Sequence, residues 1–230
     1  MIDLNQSEKT ADPRDQKKFV FQATPVRRVT VAMIRLILPF LMKRTIFGVE
    51  NLPSEGPVVL AANHLTNFDV FPIQLCLPRP LFFMAKAELH QNKLLDAWLR
   101  QLGAFPVNRG ASDEWALKHA RKVLDHQQVL AIFPEGTRSK GRGLRPGKTG
   151  AAHFAIYANC PIVPVAVTGT EKVLKNFRQR AAVTITIGEP LYPEEDENPL
   201  ALTDRLMFAI AEMLPPRLRG VYAERPRGFD

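Results

Sequence analysis

Short, nearly continuous apolar runs, separated by segments with helical spacing, constrain the fold of this chain more than any other feature. Five such runs occur, at 57–63, 80–85, 129–136, 161–169 and 182–188. Runs of this kind predict β-strands that are buried on both faces. The candidate helices lie at 67–77, 88–101, 112–126, 149–159 and 199–214. The alternation predicts a layered α/β domain with a largely buried mixed sheet flanked by helices.

The size of the chain predicts one main domain with terminal extensions. Its 230 residues, 46% of them hydrophobic, provide one sizeable core and leave no room for two. The predicted parts are a flexible arm at 1–25, an amphipathic helix at 26–45, the main domain at 46–215 and a tail at 216–230.

The first 18 residues and the cysteines predict an intracellular setting. The N-terminal residues are polar and lack the apolar segment of a secretory signal. Cys76 and Cys160 lie among apolar residues, without the spacing of metal ligands. We therefore expect neither a disulfide nor a zinc site, which fits a reducing cytosol.

The basic balance of the chain favours acidic partners. Thirty-one Lys and Arg against 23 Asp and Glu give a formal charge of +8, which suits anionic membranes, phosphorylated ligands, nucleic acid or acidic proteins. We expect no nucleic-acid partner, because the chain has no RNP-like, helix-turn-helix or zinc-finger pattern. The segment GRGLRPGKTG at 141–150 resembles a P-loop, but its glycine spacing is wrong. We predict a basic surface loop there.

The segment 26–44 has the period of an amphipathic helix. Its apolar face is formed by Val29, Met33, Leu36 and Phe40. Arg28, Arg35 and Lys43 lie beside or opposite that face, as in helices that lie in a membrane interface. Packing of the helix on its own core has the same period and stays an equal alternative. Arg35 and Pro39 interrupt the apolar stretch, which is also too short to span a bilayer.

His64 and Asp69 follow the first predicted buried strand. On one regular helix a spacing of five residues separates two side chains by about 140°, so His64 must precede the helix for the two to meet. The carboxylate can then fix one imidazole nitrogen and leave the other as a base. The alternative is a histidine that only caps the start of a helix.

Two further clusters follow short apolar runs. Arg109 ends the run GAFPVNR, and a planar guanidinium suits phosphate binding. Glu135, Gly136, Thr137 and Arg138 follow the strand at 129 directly. The Gly136 amide, the Thr137 hydroxyl and Arg138 are candidates to hold a phosphate, with Glu135 positioning an arginine or an acceptor hydroxyl. Turns and surface ion pairs are the alternatives.

These residues stand in segments that resemble the motifs of glycerolipid acyltransferases. NHLTNFD, from Asn63 to Asp69, resembles the NHxxxxD block of that family. Three more blocks follow in order, namely GAFPVNR, FPEGTRS and IVPVAV. MAKAEL, which contains Lys86, resembles the K-x-E-L stretch of the family, and the resemblance covers roughly 46–190. Asn108 departs from the acidic residue that many relatives carry there.

The resemblance to the 1-acylglycerol-3-phosphate acyltransferases implies a reaction and a setting. It implies acyl transfer from coenzyme A or acyl carrier protein to lysophosphatidic acid, giving phosphatidic acid on the cytoplasmic face of a membrane. His64 would be the general base, Asp69 its partner, and Lys86, Arg109, Glu135, Gly136, Thr137 and Arg138 would bind substrate. Neither a metal nor a resident cofactor is expected. Because a thioester is already activated, no enzyme nucleophile is needed, and no G-x-S-x-G motif occurs.

Several alternatives stay open at this point. The acceptor can be another lysophospholipid, glycerol 3-phosphate or an amino lipid, because arginines recognise a phosphate and not what it is attached to. Thioester hydrolysis and lipid binding without catalysis are further alternatives. The sequence does not fix the acyl-chain length, the donor or the oligomeric state.

Overall fold

The computed structural model describes Arg14 and residues 24–108, 113–173 and 179–225. Within these residues, seven strands form one sheet. They are β1 (Met42–Phe47), β2 (Val58–Ala62), β3 (Leu81–Lys86), β4 (Ala104–Val107), β5 (Val129–Ile132), β6 (Ile162–Thr168) and β7 (Ala181–Ile187). The five predicted strands are confirmed, while β1 and β4 were not predicted as strands.

The sheet is mixed, as predicted, with the order β1-β7-β6-β2-β5-β3-β4. The strands from β6 to β4 run parallel to one another, while β7 runs antiparallel to β6 and parallel to β1. The carboxyl ends of β2, β5, β3 and β4 therefore meet at one edge. In open α/β sheets this edge is where ligands bind.

Helices cover both faces of the sheet. They are α1 (Pro25–Leu41), α2 (Val70–Cys76), α3 (Lys93–Gln101), α4 (Glu114–Asp125), α5 (Gly150–Ala158) and α6 (Pro199–Met213). Leu38 of α1 and Ile73 of α2 belong to the core on one face. Ala120 of α4, Ala152 of α5 and Leu206 of α6 belong to the core on the other face. This arrangement confirms the predicted layered α/β architecture.

Several predicted boundaries differ from those observed. The strand predicted at 129–136 ends at Ile132, because Pro134 has no amide to donate and Gly136 turns the chain with φ = +64°. The helix predicted at 67–77 begins only at Val70, after the turn that contains Asp69. The predicted start of the helix at 112 lies outside the described residues.

Helix α1 begins after the capping residue Thr24 and is followed directly by strand β1. Thr24 accepts a hydrogen bond from the Arg27 amide, and Pro25 occupies the first turn, where its missing donor costs nothing. The predicted helix continued to residue 44, but the chain becomes extended at Met42, where burial alternates along β1 as a strand requires. The stripe of Val29, Met33, Leu36 and Phe40 is 52–73% exposed. Packing of this stripe on the described core is therefore excluded.

The chain packs back onto the domain after α6. Two 3-10 turns, Pro216–Leu218 and Gly220–Tyr222, follow the helix, and Leu218 is buried. Backbone hydrogen bonds join Leu144 to Leu218 and to Val221. Residues 216–222, which were predicted to belong to a tail, thus support the loop around Leu144.

The terminal extensions lie largely outside the described residues. Of the predicted arm, the described part consists of Arg14 and residues 24 and 25, and the last five residues of the predicted tail are also outside it. Among the helices that the structure describes, none is both long and apolar enough to cross a bilayer.

Candidate active site

His64 lies at the carboxyl end of β2, in a turn fixed by its neighbour Asn63. The Asn63 side chain donates to the Val167 carbonyl at 2.9 Å and accepts from the Val167 amide at 2.6 Å. This paired hydrogen bond fastens the end of β2 to β6. Because Asn63 is held in this way, the direction in which the chain leaves β2 is fixed and His64 is aimed at the ligand-binding edge.

Asp69 is buried and accepts hydrogen bonds from the turn that precedes it. Its Oδ2 lies 2.7 Å from the Leu65 amide, 2.9 Å from the Thr66 amide and 2.8 Å from Nδ1 of His64. Its Oδ1 accepts from the Thr170 hydroxyl at 2.5 Å. Backbone amides are obligatory donors, so the carboxylate acts as an acceptor and Nδ1 of His64 donates to it. The Nε2 atom of His64 is then left as a proton acceptor.

Aromatic stacking fixes the plane of the His64 ring. Phe133, just after β5, stacks on the imidazole with ring centroids 3.9 Å apart and planes inclined by 14°. Only 9% of the His64 side chain is exposed, and none of the Asp69 side chain is. The imidazole therefore has one orientation, with little solvent around it.

Glu135 joins the two loops that flank His64. Its Oε1 accepts from the His64 amide at 2.8 Å, and its Oε2 accepts from the Arg145 amide at 3.1 Å. Burial raises the pKa of Glu135 to about 7, with a further upward contribution from Asp69, although the two amides and Arg145 oppose the shift. The predicted role was to position an arginine side chain or an acceptor hydroxyl. Both oxygens instead hold backbone amides.

A cavity of about 310 Å³ opens beside His64. Its wall includes Met84 of β3, Asn108 after β4, Gly136, and Lys148 in the loop before α5. The volume is at the small end for ligand pockets, which suits a polar head group and a reacting bond better than a whole acyl chain.

Lys148 is the cationic side chain among the described residues that line this cavity. Its side chain lies over Gly136, where an added Cβ would come within 3.0 Å of the lysine Cε. The Lys148 amide donates to the Pro134 carbonyl at 2.9 Å, which fastens the basic loop to the segment after β5. Gly150 and Ala151, at the amino end of α5, line the cavity too, and this end of a helix is electropositive.

The remaining predicted residues are placed differently. The Gly136 amide donates to the Phe133 carbonyl at 2.9 Å, so it is engaged in a turn instead of facing a ligand. Arg138 is exposed, and neither it nor Thr137 lines the cavity. Lys86 forms an exposed pair with Glu88 at 2.9 Å. Arg109 lies outside the described residues.

Sequence reasoning missed Lys148 and Tyr222. The Tyr222 hydroxyl accepts from the Gly147 amide at 2.9 Å, next to Lys148 in the chain. Lys148 stands in the glycine-rich loop at 141–150, whose glycine spacing does not fit a P-loop. A lysine directly before a helix start was the available signal, whereas nothing local marks Tyr222.

The site is thus a buried histidine–aspartate pair that opens on a cavity with one cation, an arrangement suited to proton removal from an anionic substrate. Comparisons with known proteins show the family of the chain. A family profile described as Acyltransferase matches residues 43–168. The chain is 33% identical over 175 residues to the 1-acyl-sn-glycerol-3-phosphate acyltransferase of Bacillus subtilis, covering 76% of this chain and 85% of that protein.

Other relatives have the same name. The enzyme of Escherichia coli is 32% identical over 143 residues, covering 60% of this chain and 58% of that protein. The chloroplast protein of Brassica napus is 30% identical, and the match covers 52% of its length. The crystal structure of the 1-acyl-sn-glycerophosphate acyltransferase of Thermotoga maritima aligns with a TM-score of 0.63 at 22% identity, covering 81% of this chain and 80% of that one, which shows a shared fold.

The chain belongs to the 1-acyl-sn-glycerol-3-phosphate acyltransferase family. The predicted family and the predicted class of enzyme, one that transfers acyl groups, are both confirmed.

Proposed function

We propose that the protein transfers a fatty acyl group from a thioester to the free hydroxyl of lysophosphatidic acid, giving phosphatidic acid for phospholipid synthesis. The observation that carries this proposal is the 2.8 Å contact between Nδ1 of His64 and Asp69, with the histidine opening on a cavity that also contains Lys148. The names of the relatives from Bacillus subtilis and Escherichia coli support the choice of acceptor.

His64 acts as the general base. Its Nε2 takes the proton of the acceptor hydroxyl as the hydroxyl oxygen attacks the thioester carbonyl carbon. Asp69 stabilises the imidazolium that forms. The carbon–sulfur bond then breaks, and the departing thiolate takes up the proton from His64. An ester and a free thiol result, and His64 is returned to its starting state.

The acceptor phosphate binds near Lys148 and the amino end of α5. A primary ammonium and an electropositive helix terminus both favour a phosphate, and both line the cavity that contains His64. The predicted contribution of Arg109 is kept in this proposal, because the residue follows Asn108, which also lines the cavity. The donor is acyl-coenzyme A or acyl carrier protein, and no metal or resident cofactor takes part.

We further propose that the protein binds peripherally to the cytoplasmic face of a membrane through α1. Val29, Leu36 and Phe40 are each more than 60% exposed on this helix. An exposed apolar stripe bordered by arginines is typical of helices that lie in the interface. Its insertion would bring the enzyme to its lipid acceptor.

Transfer of a labelled acyl group in detergent micelles tests the reaction. Wild type is given acyl-coenzyme A with lysophosphatidic acid or lysophosphatidylethanolamine, and His64→Ala is compared with His126→Ala, an exposed histidine at the opposite edge of the sheet. We expect phosphatidic acid from wild type and His126→Ala, and a loss of about 10² to 10⁴ in rate for His64→Ala. Full activity of His64→Ala would contradict the mechanism.

The same experiment decides between acceptors and reactions. A product formed from lysophosphatidylethanolamine alone would contradict the proposed acceptor. Free fatty acid released at one rate with and without acceptor would indicate thioester hydrolysis. If acyl-coenzyme A gives no product, the assay is repeated with acyl carrier protein, and failure with both donors would contradict acyl transfer.

A further inference from the structure

Helices α1 and α2 enclose a basic groove on the sheet face opposite to α4, α5 and α6. The α1–α2 groove has a volume of about 700 Å³ and is lined by Arg27, Arg28 and Arg35 on one side. The end of α2 and the segment after it line the other side, with Gln74, Leu75, Leu77 and Pro78. Among the described residues that line it, none is acidic. It shares no lining residue with the cavity at His64.

The arginines of the α1–α2 groove repel one another. Burial lowers the pKa of Arg27, and the positive charge of Arg35 lowers it further. Within the part of the chain that the structure describes, Arg28 and Arg35 form no ion pair. Arg79, at the end of the groove, differs because it donates to backbone carbonyls such as those of Pro53 and Gly56. Arg28 and Arg35, which have no counter-ion among the described residues, favour a bound anion.

The spacing of Arg28 and Arg35 suits a single phosphate group. Seven residues on a helix correspond to about 20° around the axis and about 10 Å along it. Ala32 lies between them, and its small side chain does not separate the two arginines. Two long, flexible side chains that start about two turns apart can therefore converge on one anion from either side.

The apolar stripe of α1 indicates that the bound anion is a phosphate of the membrane lipids. Arg28 and Arg35 lie about 120° around the helix from the middle of the stripe formed by Val29, Leu36 and their neighbours. When the stripe is inserted among acyl chains, arginines on the flank of the helix extend their apolar stems along the interface and bring their guanidinium groups to the depth of the lipid phosphates. Insertion of the stripe would not concentrate a water-soluble phosphate at the groove.

We propose that the α1–α2 groove binds the phosphate head group of an anionic glycerophospholipid of the membrane, at a site separate from the acyl-transfer site. The inference rests on the proposed attachment of α1 to a membrane. The function of the site is to anchor and orient the enzyme on anionic membranes, with one lipid phosphate held between Arg28 and Arg35 and with Leu75 and Pro78 facing the acyl chains of that lipid.

Flotation of the full-length protein with vesicles tests this site. Vesicles of phosphatidylcholine alone are compared with vesicles that also contain phosphatidylglycerol. The variants are Arg28→Gln with Arg35→Gln and, as a matched control, Lys118→Gln with Lys122→Gln on α4, which removes the same charge from the opposite face. We expect the arginine variant to lose about 30-fold in affinity for the anionic vesicles. We expect less than about a threefold loss for the lysine variant.

Each contrary outcome has a distinct meaning. Equal losses in the two double variants, or an unchanged affinity of the arginine variant, would contradict the head-group site. Release of the protein by millimolar glycerol 3-phosphate at constant ionic strength would contradict a membrane lipid as the occupant. Binding of the protein to vesicles of phosphatidylcholine alone, which have no net charge, tests the attachment of α1 separately from the head-group site. His64→Ala is expected to float like wild type, so a failure of the proposed chemistry leaves this test unaffected.

Discussion

The hydroxyl of Thr170 donates a hydrogen bond to Oδ1 of Asp69, although 101 residues separate them in the chain. Thr170 is buried in the 3-10 turn that follows β6, and Asp69 precedes α2. The bond joins the two segments across the carboxyl edge of the sheet. Asp69 is thus held from two sides, by Thr170 at one oxygen and by the turn after His64 at the other.

Thr170→Val is expected to lower kcat while leaving KM for the acceptor nearly unchanged. Loss of a hydrogen bond to a charged group costs about 1.5–3 kcal/mol, and roughly a tenfold to hundredfold loss of kcat follows if the cost falls on the transition state. Steady-state acyl transfer measures this effect, and Thr170→Ser should restore most of the rate.

Thr203→Val is the matched control for that variant. Thr203 is equally buried, at 1% exposure, but its hydroxyl donates to the Pro199 carbonyl inside α6. We expect this variant to lose stability without a selective loss of kcat. Equal kinetic effects of the two substitutions would show that Thr170 supports the fold and does not position Asp69.

Most of the layered fold could be predicted because its strands are apolar throughout. β2 and β6 consist of buried residues except for the last residue of β6, so their runs stand out in the sequence. β1 alternates between buried and exposed residues and directly follows a helix, and β4 has four residues. Both strands owe their conformation to a neighbour, β7 for β1 and β3 for β4, which a local pattern does not reveal.

The site divides in the same way between local and distant contacts. His64 and Asp69 are five residues apart, so their contact follows from the geometry of one turn. Tyr222 reaches the loop next to Lys148 across 75 residues, and this contact depends on how the chain returns after α6. A motif in the sequence does not by itself place a residue in the cavity. Arg138 belongs to the FPEGTRS motif, yet it is exposed and does not line the cavity.

Lys148→Met is expected to weaken the use of phosphorylated acceptors. Removing a charged partner of the phosphate costs about 1.5–3 kcal/mol, which corresponds to roughly a tenfold to hundredfold loss in kcat/KM for lysophosphatidic acid. Slow transfer to monoacylglycerol, which has no phosphate, should change little. Lys148→Arg should keep part of the activity, and Lys118→Met on exposed α4 should behave like wild type. A uniform loss for both acceptors would contradict a phosphate-binding role.

Glu135→Gln is expected to flatten the dependence of stability on pH. The pKa of Glu135 rises from 4.5 to about 7 on folding, because burial disfavours its charge. An acid with a raised pKa stabilises the folded state most at low pH, below about 4.5, and this contribution is lost as pH rises through about 7. Denaturant unfolding between these pH values should show a fall in the free energy of unfolding for wild type and a smaller fall for the variant.

Glu171→Gln serves as the comparison for that experiment. Glu171 lies after β6 and contacts Arg217 at 3.7 Å. Its replacement removes a different carboxylate, so the change in the slope of stability against pH caused by Glu135→Gln is compared with the change caused by this variant. A slope equally steep in wild type and in Glu135→Gln would mean that Glu135 does not titrate in this range.

Tyr222→Phe tests whether the C-terminal segment shapes the active site. The substitution removes the hydroxyl that accepts from the Gly147 amide, at a typical cost of about 1 kcal/mol, and keeps the packing of the ring against Phe208. Because Lys148 follows Gly147, we expect KM for lysophosphatidic acid to rise about fivefold with little change in kcat. Tyr192→Phe, at an exposed tyrosine, is the control. If Tyr222→Phe lowers the midpoint of unfolding but leaves KM unchanged, the segment stabilises the domain without positioning Lys148.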